Sequence, residues 1–179
     1  MELNELQAVL EAIIYVAEDP VRLEQLKEVF PGEEPGRLQQ ALEGLLNEFN
    51  SRQGGMIIRE VAGGYRMTTR PEHHEHIREY LKTKPGAKLS MAALETLAVI
   101  AYKQPVTLAE ILAIRGKKST TALQTLLEKR LVAIVGRKPV VGRPILYGTS
   151  REFLLHFGLR DLSELPTLEE FAQLAGDQL

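Results

Sequence analysis

The chain has 179 residues, 44% hydrophobic and 26% charged, an ordinary globular composition that excludes disordered, collagen-like and low-complexity classes. It contains no cysteine, which removes disulfides, thiolate metal centres and thiol nucleophiles. The net charge of −2 conceals three blocks: residues 1–83 hold 9 Lys+Arg against 15 Asp+Glu (−6), residues 84–150 hold 11 against 3 (+8), and residues 151–179 hold 2 against 6 (−4).

The first ten residues carry Glu2 and Glu5 and no Lys or Arg, which does not fit a secretory signal. The longest apolar runs, 12–17 and 97–102, fall far short of the roughly 20 residues a membrane span needs. No membrane association is therefore expected.

An amphipathic helix is predicted first, because Leu6, Val9, Leu10, Ile13, Ile14 and Ala17 recur at alternating spacings of three and one. Asp19-Pro20 stops it, since proline disfavours helical geometry in the residue before it. A short second helix carries Leu23, Leu26, Val29 and Phe30 and breaks at Pro31-Gly32. A third presents Leu38, Ala41, Leu42, Leu45, Leu46 and Phe49 with the same stripe. The period then changes: 56–61 and 65–69 read as strands joined across Ala62-Gly63-Gly64. Three helices and a β-hairpin describe a winged helix. Residues 71–82 read as a connecting helix.

The order then repeats. A shift of 85 residues lays Asp19-Pro20-Val21-Arg22-Leu23 on Gln104-Pro105-Val106-Thr107-Leu108, Leu38-Gln39 on Leu123-Gln124, and Leu42-Glu43 on Leu127-Glu128. One long period seen twice implies duplication of a small domain. In the second copy, Ser90 caps a helix over 91–102 that is apolar nearly all round and is expected at the centre of its domain. Pro105 is expected to open a short helix through Ile114, with Gly116 ending it, and Ser119 or Thr120 to cap the third. Wing strands are predicted over 131–135 and 145–149, and a last helix over 151–157 before Gly158. The expected fold is α+β, mainly α: two tandem winged-helix domains, 1–83 and 84–166, each three helices plus a hairpin wing, with an acidic tail over 167–179.

Catalytic chemistry is hard to find. Gly116-Lys117-Lys118-Ser119 lacks the first glycine and the preceding strand of a phosphate-binding loop, and Ser90, Ser119 and Ser150 each sit just before a predicted helix. His73, His74 and His76 would need further ligands for a metal, and a solvated helix surface explains them better. No catalytic residue, metal or cofactor is assigned.

The basic middle block implies an anionic partner, nucleic acid or acidic protein. Lys117, Lys118, Arg137, Lys138 and Arg143 are candidate DNA contacts, because backbone affinity follows accumulated positive charge. Against DNA, the third helix of that copy offers Ser119, Thr120, Thr121, Gln124 and Glu128, without the Arg or Asn residues that discriminate bases best. Tyr102, Tyr147, Phe153 and Phe157 fit protein-interface anchors, although aromatics at helical spacing are also core residues.

Glu95-Thr-Leu-Ala-Val-Ile-Ala-Tyr-Lys-Gln-Pro-Val-Thr107, Ile114-Arg-Gly116, Val135-Gly-Arg-Lys138, Gly142-Arg-Pro-Ile-Leu-Tyr-Gly-Thr149 and Phe153 through Leu159 resemble, in order, the segregation and condensation protein B family. The resemblance covers residues 95–166 and extends more loosely back to about residue 5. It implies a homodimer formed through the N-terminal domains. It also implies a non-catalytic subunit of the bacterial SMC condensin, cytoplasmic and nucleoid-associated. Such a subunit binds the kleisin ScpA, and through it the SMC ATPase, to condense and segregate chromosomes. On that resemblance the kleisin anchors are placed at Tyr102, Lys103, Gln104 and Tyr147, and the dimer contacts at Leu6, Leu10 and Ile14, positions that equally fit a domain core. The family usually continues after Arg115-Gly116 with an apolar residue where this chain has Lys117-Lys118. A DNA-binding regulator acting through the basic half is the competing reading.

Overall fold

The computed structural model describes residues 1–81, 89–116, 119–167 and 170. The chain divides into two units, Met1–Pro85 with Leu159–Asp161, and Gly86–Gly158 with Leu162–Leu179. Both are helix-rich with small antiparallel sheets, the winged-helix arrangement expected from the element order.

In the first unit, α1 (Leu3–Val16), α2 (Leu23–Val29) and α3 (Pro35–Ser51) precede the hairpin β1 (Met56–Val61) and β2 (Gly64–Thr69). The helical stripes point inward: Leu6, Leu10 and Ile14 of α1, Leu26 of α2, and Leu38, Ala41, Leu42 and Leu45 of α3 form one core with Ile58 of β1. Removing so much apolar surface from water is the main favourable term in folding. The strands pair from Met56 opposite Thr69 to Val61 opposite Gly64, so β2 begins one residue earlier than the sequence predicts. A two-residue turn suffices because Ala62 (φ 51°) and Gly63 (φ 71°) both take the left-handed conformation that such hairpin turns need. Pro71–His73 forms a 3₁₀ turn and runs into α4 (His74–Leu81).

The second unit contains α5 (Met91–Lys103), β3 (Val106–Thr107), α6 (Leu108–Arg115), α7 (Ser119–Glu128), β4 (Val132–Arg137), β5 (Ile145–Thr149) and α8 (Arg151–Phe157). Ser90 caps α5, its hydroxyl accepting from the Ala93 N–H at 3.2 Å. Two expectations are corrected here. The short helix starts at Leu108, not at Pro105, because Thr107 and Glu110 form a reciprocal cap and leave Val106–Thr107 free to pair as a strand. Helix α5 also keeps a surface face: Ala93, Thr96, Leu97, Ile100 and Ala101 are buried, while Met91 and Leu94 are 71% and 39% exposed. The sheet order is β3-β5-β4, with a bulge between Ile134 and Gly136. Most of the acidic tail, 168–169 and 171–179, lies outside the described residues.

Asn50, near the end of α3, joins helix to hairpin. Its side-chain amide donates to the Ile58 carbonyl at 2.9 Å, and its Oδ1 accepts from the Ile58 N–H at 2.8 Å. One side chain thus satisfies both polar groups of a residue that is 2% exposed. Replacing Asn50→Ala should destabilise the first unit by about 1–3 kcal/mol, the cost of leaving buried backbone groups unpaired. Chemical denaturation followed by circular dichroism would read this as a lower midpoint with unchanged slope.

Candidate partner-binding surface

Gln104 shapes the surface of the second unit. It caps the C-terminus of α5, and its Nε2 donates to the Ala101 carbonyl (3.1 Å) and to Thr149 Oγ1 (3.0 Å). Its Oε1 accepts from the Thr149 N–H at 2.8 Å, which fastens the helix end to β5. The close approach requires glycine at 148, where a Cβ would stand 2.9 Å from both Gln104 Oε1 and a Val135 methyl. Beside this junction lies an open groove of about 400 Å³ lined by Gln104, Pro105, Val135, Leu146 and Leu162.

The four kleisin anchors proposed from the sequence are thus divided. Tyr102 and Lys103 lie at the surface, and the Tyr102 hydroxyl donates to the Pro166 carbonyl at 2.7 Å. Gln104 lines the groove, but its amide is committed to the α5–β5 junction. Tyr147 is only 9% exposed and sits in β5 opposite Val106 on one side and Ile134 on the other. Sequence reasoning missed Pro105, Val135 and Leu146. Runs such as Val132-Ala-Ile-Val135 and Ile145-Leu-Tyr147 are apolar on both faces, so alternation does not say which face opens outward.

The candidate DNA contacts are also divided. Lys117 and Lys118 lie outside the described residues. Lys138 is engaged: its Nζ lies 2.7 Å from Glu110 Oε1. Glu110 Oε2 also accepts from the Thr107 N–H and hydroxyl, each at 2.8 Å. The Lys138 ammonium, with these Thr107 donors, holds the Glu110 carboxyl down at about 2. Arg137 and Arg143 are exposed in the wing, where Arg137 Nη1 donates to the Arg143 carbonyl at 3.1 Å. The wing tip also presents apolar side chains, Val140 at 49% and Val141 fully exposed. On α7, Thr120, Thr121, Gln124 and Glu128 are exposed, whereas Ser119 is buried.

In the first unit, Leu6, Leu10 and Ile14 are core residues, 0%, 0% and 2% exposed. The face that α1 turns outward carries Tyr15 and Val16, 75% and 76% exposed. An apolar groove of about 530 Å³ beside it is lined by Ala8, Glu11, Ala12, Tyr15, Phe49, Met56 and Met67. Arg52 closes its rim, 3.6 Å from Glu11, 2.8 Å from Glu48 and 5.1 Å above the Phe49 ring. Among the described residues, no group of three or more His, Asp or Glu side chains is placed to hold a metal ion. His73 lines a separate polar hollow with Asn50, Arg52 and Arg70, and His74 Nδ1 lies 3.1 Å from the Pro71 carbonyl.

Comparison with known proteins agrees with the motif resemblance. A family model described as the segregation and condensation complex subunit ScpB matches residues 8–168. The segregation and condensation protein B of Syntrophotalea carbinolica is 51% identical over 174 residues, covering 97% of this chain and 87% of that protein. The crystal structure of ScpB from Mycobacterium tuberculosis is 33% identical, covers 89% of this chain and 98% of its own, and gives a TM-score of 0.43. The crystal structure of a dimer of an ScpB N-terminal domain complexed with an ScpA peptide is 22% identical. It covers 44% of this chain and 96% of its own, with a TM-score of 0.40.

The Glu110–Lys138 contact ties the wing to α6 and carries a defined pH signature. A carboxyl depressed from 4.5 to about 2 in the folded chain adds stability above about pH 4.5, and that stability is lost as pH falls towards about 2. Wild type should therefore melt above Glu110→Gln at pH 7, and the gap should close between pH 4.5 and pH 2. Thermal unfolding of both chains across that range checks the prediction.

Proposed function

This chain belongs to the segregation and condensation complex subunit ScpB family, and from that premise we propose that it is a non-catalytic accessory subunit of the bacterial SMC condensin complex. It binds the kleisin ScpA as a homodimer, reaches the SMC ATPase through ScpA, and supports chromosome condensation and segregation in the cytoplasm at the nucleoid. The observation that carries this reading is the family match across almost the whole chain, at 51% identity to one segregation and condensation protein B. The surface fits an adaptor, with open apolar grooves on both units. Among the described residues no helix is long and apolar enough to cross a membrane.

The second unit offers ScpA the rim of Tyr102 and Lys103 and the groove lined by Gln104, Pro105, Val135 and Leu146. An extended segment laid there buries aliphatic surface worth about 25 cal/mol per Å², which must exceed the cost of ordering the segment. Tyr147 supports the site from inside the sheet. Homodimerisation uses the outward face of α1, Tyr15 and Val16 with the groove beside them, since Leu6, Leu10 and Ile14 are occupied in the core. DNA contact, if the complex makes one through this chain, falls to Arg137 and Arg143 with Lys117 and Lys118.

Affinity capture from the native host, with and without nuclease, tests the reading. Recovery of ScpA and a long coiled-coil ATPase in both arms is the expected result. Recovery of DNA and DNA-dependent proteins alone, lost with nuclease, would overturn it and favour the DNA-binding regulator.

The dimer surface has its own test. Tyr15→Glu with Val16→Glu should give a folded monomer by light scattering. Leu10→Ala should instead cost about 2–5 kcal/mol of stability, the usual range for a buried leucine, and leave the folded fraction dimeric.

A further inference from the structure

Helix α7 is followed by Arg130 in the left-handed conformation (φ 58°), and the chain turns at once into β4. In the sheet order β3-β5-β4, β4 is an edge strand, and among the described residues no strand pairs with its other side. The ladder decides which backbone groups face that side. The Ser150 N–H donates to the Leu131 carbonyl at 3.2 Å, so Leu131 and, two residues on, Ala133 turn their backbone groups to β5. Val132 and Ile134 therefore turn theirs away. Val132 is 3% exposed and Ile134 60%, so the accessible part of the edge begins at Ile134. The bulge between Ile134 and Gly136 then brings Val135 to the surface beside it, where it also walls the groove with Pro105 and Leu146.

The same wing is basic throughout. From 129 to 151 the sequence holds Lys129, Arg130, Arg137, Lys138, Arg143 and Arg151, and no Asp or Glu. Lys138 is matched by Glu110 of α6, whereas Lys129, Arg130, Arg137 and Arg143 are exposed. Lys129 and Arg130 precede the exposed aliphatic pair and Arg137 follows it. Ile134 and Val135 are thus bracketed by positive charge at both ends.

We propose that the outer edge of β4 receives an extended segment of ScpA, aliphatic in its middle and acidic at both ends, which adds to the sheet through the outward backbone groups of Ile134. The inference rests on the reading above, that ScpA binds the second unit, and carries the docking surface from the groove on to the strand edge. In strand addition the main-chain bonds supply affinity and alternate side chains supply selection. The flanking arginines and lysines steer the acidic ends to their places. A second copy of this chain does not fit the edge. Two β4 strands paired antiparallel about Ile134 would set Arg137 of one copy beside Lys129 and Arg130 of the other, and like charges so placed oppose pairing. Duplex nucleic acid would answer the charge, but its phosphates offer Ile134 and Val135 no aliphatic surface.

Isothermal titration of the ScpA chain from the same organism into four forms of the protein provides the test: wild type, Ile134→Val, Ile134→Pro, and Arg137→Glu with Arg143→Glu. Proline removes the outward N–H at a position where β5 does not use it, so the strand can tolerate it. Ile134→Pro should bind ScpA about fivefold more weakly, the worth of one hydrogen bond, while Ile134→Val, which keeps the N–H, stays close to wild type. The double reversal should weaken binding about tenfold and reduce its sensitivity to salt. Both arginines lie at the surface, so that variant remains informative if the proline lowers the melting temperature. In the wild type, the Ile134 amide should exchange with solvent more slowly once ScpA is added, while that of Ala133, already turned to β5, should not change. Equal ScpA affinity in all four forms with unchanged exchange at Ile134 overturns the edge and leaves the ScpA reading standing. Loss of binding to a duplex oligonucleotide in the double reversal, with ScpA binding unchanged, overturns it in favour of nucleic acid. No binding of ScpA by the wild type overturns both readings.

Discussion

Each unit depends on one short piece of extended chain that links its helices to its hairpin. In the first unit it is Val21, which exchanges both backbone hydrogen bonds with Tyr65, at 2.9 and 2.8 Å. In the second it is Val106, paired with Tyr147 in the same antiparallel sense. In the second unit Pro105 prepares this pairing, since it disfavours helical geometry in Gln104 before it, whose ψ of 144° ends α5 one residue short of the proline. Without this pairing the wing would be an isolated two-stranded hairpin, marginal in water. With it, the second strand of each wing is held against the helical core.

The same junction imposes close backbone approaches, and each unit resolves them with a glycine beside its tyrosine. A Cβ at Gly64 would stand 2.8 Å from the Pro20 carbonyl oxygen, and one at Gly148 would meet Gln104 and Val135 at 2.9 Å. The solutions differ in what they leave open. In the first unit backbone carbonyl fills the space. In the second the space holds a side-chain amide, and beyond it the groove of Pro105, Val135 and Leu146 begins. The two units share the joint, and in the second an open groove borders its outer side.

The helices, the repeat and the hairpins could be read from the sequence because each has a local cause: a 3.6-residue stripe, a proline stop, a glycine at a turn. The site was less legible, for reasons visible in particular residues. Leu6, Leu10 and Ile14 form a stripe that a core and an interface would both require, and only packing decides between them. Tyr15 and Val16 fall outside the stripe and were the better pointer to an exposed face. Lys138 reads as a free cation in sequence, but its partner Glu110 lies 28 residues away and is brought to it only by folding of the wing. In β4 the bulge between Ile134 and Gly136 breaks the period-two pattern that would have shown Val135 facing the groove.

The charge blocks take on a more specific meaning once the pairs are known. Residues 84–150 contain three acidic residues, Glu95, Glu110 and Glu128, and two of these are bound within the unit, Glu95 to Arg115 and Glu110 to Lys138. The block's positive excess is therefore carried by side chains such as Lys103, Lys129, Arg130, Arg137 and Arg143, all exposed on the surface. A basic surface of this kind raises the local concentration of anionic partners, acidic protein segments and nucleic acid alike. Such attraction is screened within about 10 Å at 0.1 M salt, so it steers encounter more than it holds a bound partner. An acidic partner segment would gain from this field, whereas a neutral one would have to bind on apolar contact alone. Charge asymmetry that reads in the sequence as a nucleic-acid signature is equally the signature of a surface that receives an acidic protein segment.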